Sequence, residues 1–194
     1  MKNRGFTLVE MLAVIIVLAL LGLVGIISVE SIVKRGTEKA YQAQMSEIKT
    51  AAENLVKIDG EPTWCEGETV CFVSLRYLAF KKQLKLNDDG EYINPKTDKP
   101  FSLETVSMVK KYGENYVFSS YESIDALEEE TPGYLNKARK HAVAASAVIY
   151  KESGYCEGTC NIRVSDLVSK NLLESDFYND VVIRINEANQ VEIG

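Results

Sequence analysis

The sequence predicts an α+β protein: a long N-terminal helix packed on an antiparallel sheet, followed by a second, smaller helix-plus-sheet unit. Three observations carry this expectation. An apolar run opens the chain and continues into an amphipathic stripe. Two segments, Cys65-Glu66-Gly67 and Cys156-Glu157-Gly158, each follow an amphipathic helical pattern. Each is followed in turn by an alternating, turn-centred stretch of hairpin type.

The helix comes first. No charged residue occurs from Met11 to Ile27. As a helix, residues 6–27 would span roughly 30 Å, enough to cross the hydrocarbon core of a bilayer. The run exceeds the roughly 7–15 apolar residues of a secretory signal peptide, and no small-x-small cleavage site follows it. Residues 6–28 therefore read as a transmembrane segment, and Lys2 and Arg4 before it keep the N-terminus cytoplasmic. Glu10 is the anomaly. A carboxylate costs about 2.5–3.5 kcal/mol at mid-bilayer and less near the interface, so one that is kept there usually has a partner.

The helix continues past the membrane. Tyr41, Met45, Ile48, Ala52 and Leu55 recur at alternating steps of four and three, while Glu38, Lys39, Gln42, Lys49 and Glu53 fill other faces. Asp59-Gly60 and then Pro62 supply a stop. The predicted rod from Phe6 to about Asp59 is ~80 Å long. Gly22, Gly25 and Gly36 are its expected weak points, at about 1 kcal/mol each.

Gly5-Phe6-Thr7-Leu8-Val9-Glu10, after a short basic leader and before an apolar helix, resembles the prepilin signature of type IV pilins and type II secretion pseudopilins. The resemblance is specific over residues 1–27 and weak beyond. It implies a leader of residues 1–5, cleavage between Gly5 and Phe6 by a prepilin peptidase, and N-methylation of Phe6 by the same enzyme. It also implies assembly with other pilin subunits into a helical filament, in which Glu10 pairs with the Phe6 amine of a neighbour. At about 4 Å and an effective dielectric near 20, two such charges attract by roughly 4 kcal/mol before desolvation. One buried pair of this kind selects one register among sliding apolar helices.

The remaining chain reads as residues 29–120, a first pilin-like head, and residues 131–194, a second unit. The boundary lies near Ser119 to Thr131. A second stripe, Leu135, Ala138, Ala142, Ala145 and Ile149, predicts a helix with Thr131 as N-cap and Pro132 as its first residue. It is expected to pack on a hairpin from Val181 to Ile193, as Met45, Ile48, Ala52 and Leu55 pack on one from Val106 to Phe118. Short helices are expected from Val73 to Leu84 and from Val164 to Leu173. Two-headed pilins occur in the family, so the resemblance permits this organisation, and the style of anchor and head points to a Gram-positive source. Tyr92 to Phe101 forms a proline-flanked turn present in the first unit only.

Composition bounds the function. The formal net charge is −6, which opposes generic nucleic-acid binding. The basic stretch Lys137 to His141 reads as a solvated helix face, and His141, the one histidine, as a surface or partly buried residue. No nucleophile signature surrounds it, so no enzyme constellation is found. No cofactor is implied. Asn87 to Glu91 fails as an EF-hand because Lys85 and Lys96 occupy ligand positions one and twelve. The four cysteines lie on the oxidising side and form two matched pairs, suggesting Cys65–Cys71 and Cys156–Cys160 disulfides. A zinc site or cross-unit pairing remains open, since four cysteines allow three connectivities. The reading is a structural filament subunit, anchored in the cell membrane as a precursor and then carried on an extracellular fibre. The alternative is a monomeric, single-span anchored binding domain.

Overall fold

The computed structural model describes residues 7–173 and 181–194, with the side chains of 22–29 left aside. The fold is α+β, as the sequence predicts. Helix α1 runs unbroken from Leu8 to Ile58, 51 residues, so it is about 75 Å long. Its described side chains are exposed up to Arg35; continuous packing begins near Tyr41. From there Ile48, Ala51, Ala52 and Leu55 are buried. It stops where Asp59 N–H closes on the Leu55 carbonyl at 2.8 Å and Gly60 takes φ +84.

Strands β1 (Val70–Ser74), β4 (Val106–Tyr112) and β5 (Asn115–Tyr121) form an antiparallel sheet in the order β1-β4-β5. Helix α1 covers the face bearing Cys71, Val73 and Val109. It runs antiparallel to β5. Tyr41 Oη donates to Glu122 Oε2 at 2.7 Å beyond one end of that strand, and Tyr116 Oη donates to Glu61 Oε1 at 2.5 Å near the other.

Strand β1 corrects the sequence reading. Val73 and Ser74 belong to it, and the short helix α2 spans only Leu75–Phe80. Every β1 residue is buried, so the strand lacks the alternation that reveals a half-exposed one. Ser74 Oγ caps α2 by accepting Tyr77 N–H at 3.3 Å. Lys82 (φ +58) ends it, with Gln83 N–H on the Leu78 carbonyl at 2.9 Å. The loop beyond contains β2 (Ile93–Asn94) and β3 (Lys99–Pro100), a two-rung hairpin where a turn is expected.

The second sheet repeats the first. Strands β6 (Cys160–Arg163), β7 (Val182–Ile185) and β8 (Val191–Ile193) pair antiparallel in the order β6-β7-β8. Helix α5 (Val164–Ser169) follows β6 directly, as α2 follows β1. It ends at Asn171 (φ +56), with Leu172 N–H on the Leu167 carbonyl at 2.9 Å, the same closure as in α2. The expected extension to Leu173 is therefore absent. Gly67 and Gly158, in the two Cys-Glu-Gly loops, share left-handed φ values of +78 and +70.

Helix α3 (Ile124–Glu130) occupies the expected boundary, and α4 spans Leu135–Glu152. Thr131 is the C-cap of α3, and α4 starts three residues later than predicted. The Glu128 carboxylate accepts the N–H groups of Gly133 and Leu135 at 3.1 Å, so α3 supplies the cap that Thr131 was expected to give.

The packing of α4 is a second correction. Ala138 and Ala142, with Leu135 packed against them, join Val70, Phe72, Val106 and Met108 on the far face of the first sheet. Farther along, Ala145, Val148 and Ile149 share one buried cluster with α1, β1, Ile183 and Ile185. The alanine-rich surface is small enough to meet neighbours on two sides.

Candidate functional site

Residues 1–6 lie outside the described part, and with them Gly5 and Phe6, the expected cleavage and methylation site. The next residue opens the helix. Thr7 is the N-cap of α1 and forms a capping box with Glu10. Its backbone N–H and its Oγ1 both donate to Glu10 Oε2 at 2.8 Å, and Glu10 N–H returns to Thr7 Oγ1 at 3.4 Å. Both bonds from Thr7 converge on Oε2. This satisfies amide groups at a helix end that lipid could not solvate. Sequence reasoning assigned Glu10 to a neighbour and overlooked this local role, although Thr-x-x-Glu is a legible capping signal.

Past Glu10, Met11 to Leu21 present an apolar surface on all sides, with Leu12, Ile15, Leu18 and Leu21 each more than half exposed. An apolar helix with no internal partner is built to be covered by lipid or by other helices. The predicted span, 6–28, extends over residues that are not described. Among the described residues no helix is long and apolar enough to cross a membrane.

The head is clamped to the rod where α1 enters it. Glu122 accepts from Tyr41 Oη and, at 2.9 Å, from Asn94 Nδ2. Lys96 Nζ lies 3.6 Å from the centroid of the Tyr41 ring and 3.0 Å from Glu38. Burial and the Glu122 carboxylate push the Tyr41 phenol up, keeping it a donor. Tyr92 Oη holds Glu47 at 2.7 Å.

In the structure Cys65 is bonded to Cys71 and Cys156 to Cys160, with Cα separations of 5.3 and 6.4 Å. Among the described residues no group of three or more His, Cys, Asp or Glu side chains could hold a metal ion. Asn87 Oδ1 instead accepts the N–H groups of Asp89 and Glu91, at 3.1 and 2.7 Å, as in a plain Asx turn.

His141 is a correction. It is 7% exposed, and its Nδ1 accepts the N–H of Phe72 at 3.0 Å. Burial, with Lys137 adding to it, lowers its pKa to about 4. Of the basic stretch around it, Lys137 binds Glu68 at 2.7 Å and Lys140 is exposed. Nothing about His141 offers a reacting group to a substrate.

The described chain therefore joins an exposed apolar helix bearing one capped carboxylate to a disulfide-bonded α+β head. Residues 1–26 match the family described as the prokaryotic N-terminal methylation motif, the signature of type IV pilins and pseudopilins. That signature supports a pilin- or pseudopilin-like precursor. It implies processing by a prepilin peptidase, assembly with other pilin subunits, and passage from membrane to surface filament. No curated protein and no solved structure matches the chain.

Proposed function

We propose that this chain is a subunit of a type IV pilus or a related filament. It is made as a single-span membrane precursor with the N-terminus cytoplasmic, cut between Gly5 and Phe6, and N-methylated at Phe6. The observation that carries the reading is the junction of the motif at residues 1–26 with an exposed apolar helix whose Glu10 is held at its first turn. Cleavage creates an amine at Phe6. The Glu10 carboxylate then pairs with the Phe6 amine of a neighbouring subunit and sets the register of the helices in the filament core.

The head is organised as two pilin-like units, residues 29–120 and 131–194, joined by α4, which packs on both sheets rather than on the second alone. The repeated order of helix, Cys-Glu-Gly loop, strand, short helix and hairpin supports this, as do the matching sheet orders and helix closures. The units share a core. That fits their size, since a three-stranded sheet with one helix has little apolar area of its own.

Intact mass of the protein from its native host tests the reading. The expected species lacks residues 1–5 and carries one added methyl group. An unprocessed N-terminus would assign the chain instead to monomeric, anchored binding domains.

A further inference from the structure

We propose that the free edge of β5 pairs antiparallel with β5 of a second copy of this chain held on a facing surface. The proposal rests on the anchored-subunit reading. Register identifies the edge. Leu75 N–H bonds the Thr105 carbonyl and Lys111 N–H the Thr69 carbonyl, so the odd-numbered residues of β4 face β1 and the even-numbered ones face β5. Val106, Met108, Lys110 and Tyr112 therefore bond to Tyr121, Ser119, Val117 and Asn115. The backbone groups of Tyr116, Phe118 and Ser120 point the other way. No described residue hydrogen-bonds to them.

The other edges are closed or blunted. Outward-facing Phe72 of β1 gives its N–H to His141, and its carbonyl accepts Trp64 Nε1–H at 3.2 Å. Strand β6 is four residues long, carries Arg163, and returns the Arg163 N–H to Asp166. Strand β8 has three residues and carries Glu192. Among the described strands only β5 combines an open edge with seven residues and no charged side chain, Asn-Tyr-Val-Phe-Ser-Ser-Tyr. Native sheets normally protect such an edge with charge, proline or a cover.

Three features select a second copy as the occupant. The outward residues are symmetric about Phe118, so a two-fold axis there sets Tyr116 against Ser120 and forms about six hydrogen bonds. The chain carries a net charge of −6, and this uncharged strand is where two copies meet without like charges in contact. The contact is small. A strand-on-strand pairing falls well below the roughly 1,600 Å² of a standard stable interface, so it needs many copies held together, as on a membrane or a fibre. Direction follows from the fold: α1 is antiparallel to β5, so pairing two β5 strands antiparallel turns the two rods in opposite directions. The partners therefore stand on opposed surfaces rather than side by side in one membrane.

The test uses the full-length chain reconstituted into phosphatidylcholine vesicles, with clustering followed by light scattering and anchoring by flotation. Wild-type vesicles are expected to cluster, and raising salt from roughly 50 to 500 mM should not weaken clustering, because no ion pair holds the contact. Ser120→Pro removes an outward N–H and leaves the backbone ladder to β4 intact, losing only the hydroxyl contact with Ser107, and Val117→Lys adds a charge beside the dyad. Each should slow clustering about tenfold with flotation and melting temperature retained. Absence of clustering by wild type, unchanged clustering in both variants, or loss of clustering in high salt would overturn the proposal. Failure to float would remove the anchored-subunit reading itself.

Discussion

The backbone N–H of Phe72 donates to the buried Nδ1 of His141 across 3.0 Å, joining β1 to α4 over 69 positions of sequence. An accepting Nδ1 requires the neutral imidazole, with its proton on Nε2. Burial and nearby Lys137 and Lys140 oppose protonation, and Glu68 favours it only in part. The folded-state pKa of about 4 lies below the ordinary 6.5, so the unfolded chain takes up the proton first. The stabilisation is complete above pH 6.5 and is lost as pH falls toward 4. The loss should approach roughly 3 kcal/mol. Urea melts between pH 7 and 4 measure it. His141→Gln should be less stable at pH 7 yet nearly flat across this window. Glu61 and Glu68, lowered by Lys111 and Lys137, lose their contribution only below about 4.5.

Glu10→Val should leave membrane insertion intact, because it removes a charge from an apolar helix. It should also lose the capping box and the partner for a neighbour's amine. In competition with wild type the variant is expected to enter filaments at least tenfold less often, with position along the fibre recorded. Equal incorporation would end the register argument. Thr7→Val should cost about 1 kcal/mol as a lost N-cap, and Thr7→Ser should restore it.

Gly5→Val should leave full-length precursor in the membrane. On the proposed cleavage after Gly5 the peptidase approaches the backbone closely, and a branched side chain would obstruct that approach. Immunoblots of membrane fractions read the outcome. Normal maturation would place the cut elsewhere.

Non-reducing peptide mapping should recover Cys65 linked to Cys71 and Cys156 linked to Cys160. The sequence separations are 6 and 4, so each closed loop is short. Each bond should contribute about 2 kcal/mol, less than the roughly 3 kcal/mol of a 15-residue loop. Reduction should therefore lower the melting temperature without unfolding the head at 25 °C. Free thiols carrying one zinc ion would replace this assignment.

Much of the molecule was legible because its signals are local. Lys2, Arg4, Gly5, Glu10 and the apolar run lie close together in sequence, and a family motif matches over residues 1–26. The stripe from Tyr41 to Leu55 declares a helix by its own periodicity, and the Asp59-Gly60 stop falls where the helix ends. Each of the two Cys-Glu-Gly loops leads into the first strand of a three-stranded antiparallel sheet. Tertiary structure decided the rest, through contacts that no local window contains. Strand β1 is covered on both faces, so its Val-Cys-Phe-Val run shows no alternation. Helix α4 begins at Leu135 because Glu128, on another helix, supplies its cap. His141 is buried because an unpaired amide on an edge strand needs an acceptor, and only the folded chain brings the two together.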